Sequence, residues 1–138
     1  MIKIIMGPKG SGKTKSFIDK VNFALNEEKG NIVFIAKGNR HVFDVKSSIR
    51  LVDTSDFDVE CYSVFYGFLC GIISRDYDVT HIFIDSITKI ANPDYNKLDE
   101  FLTKLDALAV QFDISFTITI IAPAEEATET IKKYLVEL

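Results

Sequence analysis

Gly7-Pro8-Lys9-Gly10-Ser11-Gly12-Lys13-Thr14 matches the spacing Gly-x4-Gly-Lys-Ser/Thr. Holding phosphate oxygens requires successive backbone N–H groups turned into one concavity. A side chain at the turn would block that approach, so glycines at Gly10 and Gly12 suit the task. A helix opening near Lys13 adds the partial positive charge of its first turn to the same place. In such an arrangement Lys13 reaches the β- and γ-phosphates of a nucleoside triphosphate, and the Thr14 hydroxyl ligates magnesium. Gly7 closes the preceding strand, while Pro8, Lys9 and Ser11 fill variable positions of the loop.

A carboxylate is then needed on the same edge to anchor the metal shell. His81-Ile82-Phe83-Ile84-Asp85 is an apolar run ending in one. The spacing predicts Asp85 at the tip of a buried strand, contacting magnesium through a water. Read without the loop, Asp85 is a helix cap.

The elements that must position these residues alternate along the chain. Ile2 to Met6 reads as a strand and Thr14 to Glu28 as a helix with Phe17, Val21, Ala24 and Leu25 on one side, closed at Gly30. Asn31 to Ala36 is a β-branched strand. His41 to Val52 has helical spacing through Val42, Val45, Ile49 and Val52. Asp53 to Asp58 is a polar turn, Val59 to Tyr62 a short strand, and Ser63 the cap of a helix running to Ser74. Asn96 to Phe112 is a helix with Leu98, Phe101, Leu102, Leu105, Leu108 and Phe112 inward. Ser115 to Ile121 is the last strand, and Pro123 to Leu138 the last helix, with Ile131, Leu135 and Leu138 inward. This order predicts one three-layer α/β domain over residues 1–138, a five-stranded, mainly parallel sheet with helices on both faces.

The helix of residues 64–73 is apolar on nearly every side, which predicts either full burial or a docking surface for a partner protein or a second copy. With 138 residues the chain buries a core without disulfides. Cys61 and Cys70 lack metal-site spacing and sit in apolar stretches, so both are expected as buried thiols. A net charge of -4 argues against nucleic acid as a partner. No run is long enough to span a bilayer and no signal peptide opens the chain, so a cytoplasmic protein with no membrane partner is expected. Asn96-Lys97-Leu98-Asp99 and Thr103-Lys104-Leu105-Asp106 both fit the pattern with which GTPases read guanine. They fall inside one amphipathic helix rather than at a strand tip, so their polar residues read as a solvated face.

The segment Met6 to Thr14 and the strand from Asn31 to Lys37 resemble thymidine kinase, and Ile82-Phe83-Ile84-Asp85-Ser86-Ile87-Thr88 resembles the Walker B segment of RecA-like ATPases. The resemblance implies a P-loop NTPase fold of RecA-like type, with Gly7 to Thr14 as Walker A and Asp85 as Walker B. It implies that the last strand lies between the strands carrying those two motifs, and that ATP with Mg2+ is the cofactor. Lys13 and Asp85 are then the catalytic pair, and Thr14 and Asp85 the metal ligands.

Departures from the pattern matter as much. The glutamate that follows the Walker B aspartate in thymidine kinase is Ser86 here, and Lys37-Gly38-Asn39-Arg40 after the second strand contains no acid. The tip of the last strand, Ala122-Pro123, offers no polar sensor, and the zinc-bearing lasso of thymidine kinase is missing. Ligands bind at the carboxyl ends of parallel strands. Asp94, Glu125 and Glu126 are therefore substitute bases to examine, as is Glu60 if its strand ends early. Asp53, Asp56 and Asp58 are expected on the opposite edge. Arg40 falls on the correct edge, as a triphosphate clamp or as a solvated side chain. The expected function is a slow Mg-dependent ATPase or ATP-driven switch. The alternatives are a non-hydrolysing ATP sensor or interaction module and, third, a nucleoside-type kinase.

Overall fold

The computed structural model describes residues 1–137. Five strands form one sheet in the order β1-β5-β4-β2-β3, every neighbouring pair parallel. They are β1 (Ile2–Gly7), β2 (Asn31–Ala36), β3 (Arg50–Asp53), β4 (Val79–Ile84) and β5 (Ser115–Ile121). Parallel strands need crossovers that cover both faces, so the central strands are apolar almost throughout. β5 lies between β1 and β4, the place that the resemblance implies for it.

One face is covered by α2 (Tyr62–Arg75), the short α3 (Ile87–Ile90), α4 (Tyr95–Phe112) and the single turn α5 (Glu129–Lys132). Their core joins Phe65, Leu69, Phe101, Leu102 and Leu105 to Ile4, Ile82, Ile84 and Ile118 of the sheet. Phe65 stacks on Phe101 with ring centroids 5.8 Å apart. The other face carries α1 (Lys13–Ala24) and the segment of residues 37–49, with Leu25 and Val136 packed at the margin. Phe17, Val21, Val45 and Ile49 pack there on Ile5, Phe34 and Phe83.

Several expectations change. Residues 41–49 form turns rather than a helix, and the chain then becomes strand β3. The helical spacing was produced by a segment crossing the sheet: Val45 and Ile49 are buried, whereas Val42 is exposed. Val59 to Tyr62 is not a strand; Cys61 is the N-cap residue of α2, and Ser63 lies inside that helix. Cys61 is exposed and Cys70 half-buried, so neither is a fully buried thiol. α2 buries Tyr62, Phe65, Leu69, Ile72 and Ile73 and leaves Val64 exposed. Phe112, expected inward on α4, is 48% exposed.

The predicted last helix is a 3-10 turn at Ala124–Glu126 followed by α5. Ile131 is buried as expected. Beyond it the chain runs beside β1: Ile4 N donates to Tyr134 O at 2.8 Å and Val136 N donates to Ile4 O at 2.9 Å. An unpaired edge is costly to leave open, and this segment covers it. Leu138 lies outside the described residues. No helix among the described residues is long and apolar enough to cross a membrane.

His81, on the α1 face of β4, stacks on Phe83 with centroids 4.0 Å apart and bonds Thr117 Oγ1 at 2.8 Å. Burial, with smaller contributions from Lys3 and the terminal amine, pushes the ring down to about 4. In the unfolded chain it accepts a proton near pH 6.5. Because the unfolded state binds that proton first, stability should fall as pH drops from about 6.5 to about 4 and level off below. The full difference is on the order of 3 kcal/mol. Denaturant midpoints across that window should decline more steeply for the native chain than for His81→Gln; equal slopes would contradict this.

Candidate functional site

Strand ends in a parallel sheet lie on one edge, and β1 and β4 deliver Gly7 and Asp85 to it. Between β1 and α1 the loop makes a tight turn in which Ser11 N donates to Pro8 O at 3.2 Å. Gly10 and Gly12 have φ of 84° and 82°, a left-handed conformation that other residues rarely adopt. A methyl group at either position would meet no protein atom within 4 Å, so the loop faces open space. Gly12 is the N-cap residue of α1, and no side chain caps that helix end. The first-turn amides are thus left for water or an anion.

Lys13 opens α1 and is buried. Desolvation lowers its pKa from the usual lysine value; the nearby Asp85 carboxylate acts against this, while the Arg40 and Lys89 cations reinforce it. Lys13, Arg40 and Lys89 together make this edge a focus of positive potential in a chain of net charge -4. Thr14 is half-buried one residue on.

Asp85 is 4% exposed just past the carboxyl end of β4. Its backbone N donates to Ile35 O at 2.8 Å, continuing the ladder to β2. The two carboxylate oxygens have different partners. Thr119 Oγ1 donates to Oδ1 at 3.1 Å, and the same hydroxyl accepts the backbone N–H of Ser86 at 2.7 Å. Arg40 Nη2 donates to Oδ2 at 3.4 Å, and His41 Nε2 lies 3.7 Å from it. Arg40 Nε also donates to His41 Nε2 at 3.1 Å, and His41 Nδ1 is 3.5 Å from Asp44 Oδ2. The tautomer satisfying both neighbours carries its proton on Nδ1, leaving the Nε2 lone pair to Arg40. Ser86 is strained, at φ 52° and ψ 62°, and its buried hydroxyl has no hydrogen-bond partner.

Asp85 is thus contacted by Arg40, His41 and Thr119, and the charges of Asp85, Arg40 and Lys89 are all felt at Lys13. Sequence reasoning missed His41, which it placed in a helix, and Lys89. It missed Thr119 by looking only at the strand tip, where Ala122-Pro123 is indeed apolar. The signal was the alternation Ser115, Thr117, Thr119 in a strand otherwise apolar.

The substitute bases do not converge on Asp85. Asp94 caps α4 by accepting from Asn96 N and Lys97 N. Glu126 accepts from Tyr95, and Glu125 sits beside it in the exposed 3-10 turn. Glu60 is exposed and 3.9 Å from Lys37. Asp53 is a correction: β3 ends at Asp53, so this residue belongs to the carboxyl edge, not the opposite one. Its Oδ1 accepts from Gly38 N at 2.7 Å and from the Ser55 hydroxyl and N–H, and these hydrogen bonds, those of Ser55 first, hold its pKa below the usual carboxylate range. Among the described residues no three His, Cys, Asp or Glu side chains cluster as a metal cage. Asn96–Asp99 and Thr103–Asp106 both lie within α4, away from any strand tip.

Removing the Thr119 hydroxyl leaves a buried carboxylate oxygen and a buried N–H unpaired. Thr119→Val should therefore cost about 1–3 kcal/mol of stability. A lower denaturant midpoint at unchanged slope is the expected result, and an unchanged midpoint contradicts it. In comparisons with known proteins the chain matches no family model and no curated protein.

Proposed function

We propose that this chain binds a nucleoside triphosphate, ATP with Mg2+, on the loop from Gly7 to Thr14, and that it acts as a slow ATPase or ATP-driven switch of RecA-like P-loop type. The observation that carries the reading is the loop itself. Two left-handed glycines open it, an uncapped helix end backs it, and a buried lysine starts that helix while a buried aspartate follows β4 on the same edge of the sheet.

Thr14 and Asp85 would hold magnesium. One hydroxyl and one carboxylate suit an ion that keeps several waters and takes its remaining oxygens from phosphates. Bound there, the ion would neutralise charge developing on the transferred phosphoryl group. The chain's own residues do the rest. Main-chain amides of Gly10 to Thr14 orient the phosphates, Lys13 adds a positive charge, and Thr119 fixes the Asp85 carboxylate through Oδ1.

Among the described residues, none of the carboxylates weighed as a base to orient the attacking water contacts the Asp85 group: Ser86 follows Asp85, Asp53 accepts from Gly38 N through Oδ1, and Glu60 is exposed beside Lys37. Turnover should fall well below the usual enzyme median of about 10 per second. The missing base equally favours the second reading, an ATP sensor that binds without hydrolysis. Phosphate release under saturating Mg-ATP separates the two.

Lys13→Ala should weaken Mg-ATP binding at least about tenfold by calorimetry, and phosphate release should fall with it. Turnover at ordinary enzyme rates that survives Lys13→Ala would overturn the reading.

A further inference from the structure

The two oxygens of Asp85 are approached by different groups: Thr119 Oγ1 donates to Oδ1 at 3.1 Å, and Arg40 Nη2 sits 3.4 Å from Oδ2. We propose that Arg40 is a built-in cation of the site: it holds the metal's place on Asp85 and is a direct ligand of the triphosphate, so that nucleotide binds without magnesium. The proposal rests on the reading of the Gly7–Thr14 loop as a triphosphate site.

Arg40 is held in place by its surroundings. Its Nε is fixed on His41 at 3.1 Å, and the His41 ring stands edge-on to Phe34, centroids 6.0 Å apart at 88°. His41 is itself backed by Asp44. The segment that carries them is pinned to α1 by one side chain: Asn22 Nδ2 donates to Asp44 O and Lys46 N donates to Asn22 Oδ1, both at 2.9 Å. Val45 and Ile49 bury it against the sheet. A guanidinium presented on so anchored a segment loses little freedom when it meets an anion.

The charges point the same way. Lys13 has Arg40 and Lys89 as cationic neighbours and Asp85 as its anionic one. Metal-free triphosphate, whose charge magnesium would otherwise offset, meets these cations directly. Two N–H groups of Arg40 are used by His41 and Asp85, and the remainder of its fork is free to pair with phosphate oxygens. A magnesium water shell at Asp85 would share the carboxylate with Arg40, so metal and arginine would oppose each other there through like charge.

The test is calorimetric titration of the full chain with ATP, in EDTA and in Mg2+, for the native chain, Arg40→Ala and Arg40→Lys. The native chain should bind in EDTA within about tenfold of its Mg2+ affinity. Arg40→Ala should lose at least about tenfold in EDTA and clearly less in Mg2+, so that its affinity depends on the metal more steeply than that of the native chain; Arg40→Lys should recover part of the loss. Native binding only with Mg2+, or equal EDTA affinities for the native chain and Arg40→Ala, overturns the role of Arg40 and leaves the triphosphate site standing. No binding by the native chain in either condition overturns both. Arg40 is half exposed, and a thermal melt of each variant confirms that the chains compared are folded.

Discussion

A carboxylate buried at the edge of an apolar sheet must be compensated, and the arrangement around Asp85 follows from that requirement. Each of its partners comes from a different part of the chain. Thr119 arrives from β5, Arg40 and His41 from the segment after β2, and Lys13 from the start of α1. No two of these segments adjoin in sequence, so only the assembled sheet brings them together. The strand order supplies the contact: with β5 between β1 and β4, Thr119 stands in the row of Asp85 and can reach its Oδ1.

The α1 face of the sheet is correspondingly unusual. Ser115, Thr117 and Thr119 alternate along β5, with His81 and Asp85 beside them on β4. The hydrogen bonds His81–Thr117 and Thr119–Asp85 turn this row into a polar seam, satisfied across strands. At its amino end the seam opens into a cleft of 420 Å3 bordered by Lys3, Lys20 and Glu28.

Much of this was legible in the sequence because burial on both faces writes a strong signal. Asn31–Ala36 and Ser115–Ile121 form strands over the spans that their β-branched runs announce. The glycine loop was legible because a phosphate cradle demands residue types as well as spacing. β3 was not: it is four residues long, and the periodicity of Val45 and Ile49 before it came from a crossing segment rather than a helix. Without β3, Asp53 was placed on the wrong edge. The C-terminal segment misled for a related reason, since its apolar residues serve a β-edge as well as a core. Arg40, His41 and Thr119 left no local trace as a group, since their common feature is proximity to one carboxylate oxygen or its pair.

The central claim is that the main-chain amides of the loop receive a polyphosphate. Its most direct test is an amide-resolved NMR titration of the pure protein with Mg-ATP. The account predicts the largest shifts at the N–H groups of Gly10, Ser11, Gly12, Lys13 and Thr14, with smaller ones at Asp85 and Arg40. A spectrum in which those five amides stay still at saturating nucleotide would contradict it.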